Sequence, residues 1–122
     1  MTPNEYQKKA HTFSCYEKPI SYENVGTQTV THELDWVYPA LGLAEEAGEV
    51  AGKFAKSVRD DCGKISEEKR LAIKKELGDV CWFIAELSTL LGLDLEDVMQ
   101  SNIDKLTDRK QRNVIRGSGD DR

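Results

Sequence analysis

At 122 residues and 13.8 kDa, the chain is expected to form one domain, over residues 1–122, with room for a core but not for a fully enclosed site. Hydrophobic residues make up 39% and charged residues 32%, with a formal net charge of -5, a composition that argues against a general binder of nucleic-acid polymers. No run approaches the roughly 18 apolar residues of a membrane span, and Met1-Thr2-Pro3-Asn4-Glu5 lacks a signal-peptide pattern, so no membrane contact and a cytoplasmic location are expected.

Thr2-Pro3-Asn4-Glu5 reads as a capping box with proline at the first helical position, opening an amphipathic helix over about 3–16. Residues 17–33, with Pro19, Gly26 and several threonines, keep no helical period and read as a loop over a site or at a subunit contact. A second helix is expected over 34–59, bent or restarted at Pro39. Its Gly48 and Gly52 each weaken it by about 1 kcal/mol relative to alanine, which suggests close packing at those positions. The segment 60–64 is a turn. Ser66 is the expected N-cap of a long third helix, with Glu67 and Glu68 in its first turn and its end before Gly92. Asp94 with Asp97 resembles a capping box for a fourth helix over 95–113. The tail from Arg116, with Gly117 and Gly119, is too rich in glycine for helix; it either frays or folds over bound phosphate, to which Arg116 and Arg122 would bring charge. Cys15, Cys62 and Cys81, odd in number and without a C-x-x-C, read as reduced thiols.

The chemistry lies in two acidic stretches, Glu45-Glu46-Ala47-Gly48-Glu49 and Glu76-Leu77-Gly78-Asp79. At about 100° per residue, Leu43, Ala47, Val50, Ala51, Phe54 and Val58 share one arc of the second helix. Glu46 lies just beyond that arc, Glu49 further round, and Glu45 points away, so Glu46 and Glu49 are the better ligand candidates. In the third helix Ile73, Leu77, Val80, Phe83, Ile84, Leu87 and Leu91 form an apolar stripe, with Glu76 inside it, Asp79 at its margin and Trp82 outside, where a subunit contact is expected. An ionised carboxylate facing a core must be paired or metal-bound, and no lysine or arginine shares the middle of that stripe. Two antiparallel helices would bring the acids together as a divalent-cation site, and an all-oxygen set fits Mg²⁺ or Mn²⁺ rather than zinc or copper.

On the fourth helix Leu95, Val98, Met99, Ile103 and Leu106 form the stripe, with Asn102, Lys105 and Arg109 at or near its edge. These three either clamp phosphate or simply snorkel and cap. Trp36, Tyr6, Gln7 and His11 are candidates to stack on or bond a base, against a plain role as core or interface residues.

E-E-x-x-E at Glu45, Glu46 and Glu49, followed after 26 intervening residues by E-x-x-D at Glu76 and Asp79, resembles the signature of the MazG-like nucleoside triphosphate pyrophosphohydrolases. The resemblance runs over about 40–109, through Leu-Gly-Leu-Ala-Glu-Glu-Ala-Gly-Glu-Val, Glu-Leu-Gly-Asp-Val and the Asn-x-x-Lys-Leu of Asn102, Lys105 and Leu106, and extends more weakly to small phage-type members. It implies an all-α bundle of about four helices completed as a homodimer or homotetramer, and Mg²⁺-dependent hydrolysis of a nucleoside triphosphate to monophosphate and pyrophosphate. By position, Glu46, Glu49, Glu76 and Asp79 would be ligands, Glu45 would orient water, and Asn102, Lys105 and Arg109 would contact phosphate or sugar. A non-catalytic nucleotide-binding oligomer of the same fold is the alternative. A ferritin-like di-iron bundle needs E-x-x-H pairs, which His11 and His32 do not form.

Overall fold

A computed structural model of the chain describes residues 1–120. It contains α1 (Pro3–His11), β1 (Ile20–Val25), β2 (Gln28–Glu33), α2 (Val37–Asp61), α3 (Glu67–Leu90) and α4 (Leu95–Gln111). The architecture is the expected four-helix, essentially all-α fold, with one small two-stranded sheet added to it.

The helix starts follow from capping chemistry. The Thr2 hydroxyl accepts from the Glu5 amide, and the Glu5 carboxylate accepts from the Thr2 amide at 2.7 Å, so the capping box closes from both sides. Ser66 caps α3 by accepting from the Lys69 amide. The expected Asp94 cap is not made by its own side chain. Two residues of α1 replace it: Gln7 accepts from the Leu95 amide at 2.8 Å and Asn4 from the Glu96 amide at 3.0 Å. Buried Gln7 also donates to the Leu93 carbonyl and the Thr89 hydroxyl, tying α1 to the α3–α4 turn. Helix α1 stops at His11 rather than near residue 16.

The stretch read as a loop holds a β-hairpin. Its strands pair antiparallel from Ile20↔Glu33 to Val25↔Gln28 around Gly26-Thr27, and Gly26 takes the positive φ of 63° that a two-residue primed turn requires at its first position. Tyr22, Val25, Val30 and the threonines supply β-favouring side chains. The hairpin packs on no helix of the protomer, and all but one of its strand residues are exposed.

Helix α2 packs on α3 alone among the helices, while α1 and α4 pack on α3 and on each other. A small core of Ala10, Ala85 and Leu95 sits where α1, α3 and α4 meet, flanked by Tyr6 and Trp82. Trp82 donates its indole N–H to the Ala10 carbonyl at 3.0 Å, so it serves this contact within the protomer rather than presenting itself to a neighbour. The α2–α3 pair runs antiparallel, with Gly42 opposite Phe83 and Lys53 opposite Glu76. On α2 the most buried positions are Pro39, Gly42 and Ser57, with Glu46 and Lys53 half-buried; of the expected apolar arc Leu43 and Val50 are half-buried, Phe54 is half-exposed in a groove with Ile73 and Leu77 of α3, and Ala47, Ala51 and Val58 are exposed. Close approach occurs at Gly42, where a Cβ would stand 2.2 Å from the Phe83 ring; Gly48 and Gly52 face open space.

Candidate metal and phosphate site

Because α2 and α3 are antiparallel, Glu46 on one meets Glu76 and Asp79 on the other. One carboxylate oxygen from each of the three lies within 4.8 Å of the other two. Oxygens on opposite sides of an octahedral Mg²⁺ are about 4.2 Å apart, so small side-chain rotations would close this triangle on a hard cation. The donor set is all carboxylate, which suits Mg²⁺ or Mn²⁺. Burial, then the charges of Asp79, Glu76, Glu45 and Glu49, hold the Glu46 carboxyl above its ordinary value.

Glu49 lies outside the triangle and is exposed, though its charge is felt at Glu46. Glu45 is exposed as well. Glu76, expected to need a partner, has one from the opposite helix: Lys53 Nζ stands 2.7 Å from Glu76 Oε1, with the two side chains 23% and 20% exposed. Lys53 was invisible to a reading of the α3 stripe alone. The available signal was its spacing on α2, four residues after Glu49 and seven after Glu46, which places it on the same side of the helix.

Two turns beyond Asp79 on α3 comes a second carboxylate that sequence reasoning missed. Glu86 is 0% exposed. It accepts from the Ser14 hydroxyl at 2.8 Å, the Tyr16 hydroxyl at 2.7 Å and His11 Nδ1 at 2.9 Å. Tyr16 is pushed up to about 12 by burial and by this bond. The network pins the segment after α1 so that Tyr16 stacks on Tyr38, with ring centroids 4.9 Å apart, and Tyr38 meets the edge of Phe83. Gln7 and the Nδ1 edge of His11 are therefore committed to structure, while the His11 side chain stays 48% exposed. Tyr6 flanks the core, and its phenol is raised by burial, then by Cys81 and Asp79. Trp36 is the half-exposed N-cap residue of α2, ten residues and so about 15 Å along the axis from Glu46.

Helix α4 does not pack against α2, so within one protomer Asn102, Lys105 and Arg109 are not brought to the acids of α2. Asn102 is exposed. Arg109 is only 5% exposed and donates to the Asp120 carbonyl at 2.6 Å and the Gly119 carbonyl at 3.4 Å. The Asp120 carboxylate also lies 3.5 Å from Arg109 and 3.8 Å from Lys105. Buried Arg109 Nε has no hydrogen-bond partner among the described residues. The glycine-rich tail thus folds back on α4 and sets an acid beside both cations, through turns at Gly117 and Gly119 with φ of 133° and 88°. Arg122 lies outside the described residues.

Cys15, Cys62 and Cys81 are free and exposed, and no helix of the described residues is long and apolar enough to cross a membrane.

Residues 39–114 match the model of the MazG nucleotide pyrophosphohydrolase domain. The chain is 48% identical over 85 residues to the Gene 37 protein of Mycobacterium phage L5, covering 70% of this chain and 75% of that protein. It is 36% identical over 72 residues to the uncharacterized protein YvdC of Bacillus subtilis (strain 168), covering 55% of this chain and 68% of that one. No solved structure gives a significant match. With the acidic helix pair inside the matched span and a phage relative of similar size, the chain belongs to the MazG nucleotide pyrophosphohydrolase domain family, as a small member of the phage type.

Proposed function

We propose that the protein hydrolyses a nucleoside triphosphate, ribo or deoxy, to the monophosphate and pyrophosphate with Mg²⁺, or Mn²⁺ in its place, as a nucleotide-pool housecleaning enzyme of the cytoplasm. The observation that carries this reading is the convergence of Glu46, Glu76 and Asp79 from two antiparallel helices. Family membership supports the reaction class. Glu46, Glu49, Glu76 and Asp79 would hold the cation; Glu49 adds a charge already felt at Glu46. A bound divalent cation offsets phosphate charge and makes a coordinated water more acidic. Glu45, beside Glu46 but turned to solvent, is assigned to orient the attacking water, whose proton passes to a carboxylate as pyrophosphate leaves. Asn102, Lys105 and Arg109 are assigned to phosphate or sugar, and Trp36 to the base.

The working form in this reading is a homodimer or homotetramer. Two observations support it. Met99, Ile103 and Leu106 of α4, with Phe54 and Leu77 of the helix pair, are apolar and 40–55% exposed in the protomer. The α4 cations also stand apart from the α2 acids in the protomer, so the α4 of one copy would serve the acids of another.

The test is a panel of canonical and modified ribo- and deoxyribonucleoside triphosphates, incubated with and without Mg²⁺, with pyrophosphate and monophosphate scored separately. Metal-dependent release of both from part of the panel is the expected result. Silence across the panel by a protein that binds metal would replace hydrolysis with non-catalytic nucleotide binding.

A further inference from the structure

We infer that Lys53 is a displaceable counter-cation of the acid cluster, holding Glu76 in the metal-free protein and turning to a phosphate oxygen of the substrate once a divalent cation takes that carboxylate. The inference rests on reading the cluster as a metal centre. Its starting point is the 2.7 Å ion pair between Lys53 Nζ and Glu76 Oε1, with both side chains about four-fifths buried. Among the described residues no other lysine or arginine pairs with an acid of the cluster. Of the other basic residues of the two helices, Arg59, Lys69 and Arg70 serve Asp60, Asp61 and Glu67, away from the cluster, and Lys56, Lys74 and Lys75 are exposed.

Three properties make Lys53 a mobile partner rather than a fixed strut. First, a single ammonium bound to Glu76 serves a cluster that also holds Glu46 and Asp79, with Glu49 one turn away on its own helix. It therefore offsets only part of their charge, and a divalent cation in the triangle would compete with it for Glu76. Second, the oxygen bound to Lys53 belongs to one of the three residues that form the triangle. Third, lysine carries its charge on a flexible four-carbon stem, so losing one acceptor lets it reach another nearby without movement of the backbone. A triphosphate seated on the same cation would bring such an acceptor.

Two equilibrium measurements test this without reference to turnover. Calorimetry reads the binding of Mg²⁺ alone, and then of inorganic pyrophosphate in saturating Mg²⁺, for the wild type, Lys53→Met and Lys53→Arg. Lys53→Met keeps the stem and removes the competitor, so Mg²⁺ alone should bind about threefold tighter. Pyrophosphate should bind about tenfold weaker, having lost a charged hydrogen bond. Lys53→Arg, which keeps the charge, should leave both constants within about threefold of wild type, and an unchanged far-UV circular dichroism spectrum and thermal midpoint of Lys53→Met show that its site is still folded. A wild type that binds no Mg²⁺ overturns the metal-centre reading and this inference with it. If the wild type binds Mg²⁺, weaker or unchanged Mg²⁺ binding by Lys53→Met makes Lys53 a fixed support of Glu76 or a bystander, and overturns this inference alone. Tighter Mg²⁺ with unchanged pyrophosphate also overturns it, because the ammonium would then have no role toward phosphate.

Discussion

Glu86 shows how much one side chain decides here. Desolvating its carboxylate raises its proton affinity, but the donors His11, Tyr16 and Ser14 outweigh burial and leave it below the ordinary glutamate range. A depressed carboxyl contributes stability that is present above the unfolded value near 4.3 and is lost as pH falls through the folded value. Glu86→Gln should therefore cost about 2 kcal/mol in urea unfolding at pH 7, and the gap to wild type should shrink steadily below about pH 4 as the native carboxylate takes up its proton. A gap of the same size at pH 7 and pH 3 would show that shape and not charge is at stake. The fluorescence of Trp82, which bonds the α1 carbonyl at Ala10, offers a local reporter for the same titration.

At the scale of elements, the α2–α3 seam sets the spacing of the acids. A close approach is Gly42 against Phe83, one turn from Glu46 on α2 and one turn from Asp79 on α3. Gly42→Ala drives a methyl into that ring and should cost about 1–3 kcal/mol, while weakening Mg²⁺ binding because the carboxylates are wedged apart. Gly48→Ala and Gly52→Ala, with nothing within 4 Å of the added carbon, should instead stabilise by up to about 1 kcal/mol each. Thermal and urea unfolding of the three variants separates the cases; a loss at Gly48 or Gly52 would mean that another chain lies against that face. The same seam explains what could be read from the sequence. The helices were legible because Thr2, Ser66 and Gly92 are local signals, and the acid pair because two spaced motifs survive on one-dimensional inspection. The seam itself was not: hydropathy centres α2's contact on an arc that ends at Phe54 and Val58, whereas the most buried positions are Pro39, Gly42 and Ser57 at one edge of that arc, beside the Lys53–Glu76 pair, where small side chains let α3 come close. Lys53 and the side-chain caps from Asn4 and Gln7 are tertiary partners that a single helical wheel does not contain. The hairpin carries no 3.6-residue period, and its own signal, a two-residue turn at Gly26 between β-favouring side chains, is short.

The whole molecule poses a problem of assembly. Its acids lie on α2 and α3, its candidate phosphate clamp on an α4 that does not pack against α2, and in the protomer that clamp is engaged by the tail through Asp120. One clamp and one acid cluster can form a single site if α4 of each copy reaches the α2–α3 pair of another, with Met99, Ile103 and Leu106 covered in the process. This arrangement makes a prediction that a cis arrangement does not. Asp79→Ala removes a cluster acid and Lys105→Ala removes a clamp cation, so each protein alone should lose turnover by orders of magnitude. Unfolded together and refolded at equal amounts, half of the dimers pair one copy of each, and one of the two sites in such a dimer combines an intact cluster with an intact clamp. Activity should then return to about a quarter of wild type for a symmetric dimer. If the clamp acts on its own protomer's acids, every site in the mixture carries one of the two lesions and no activity returns, whatever the oligomeric state.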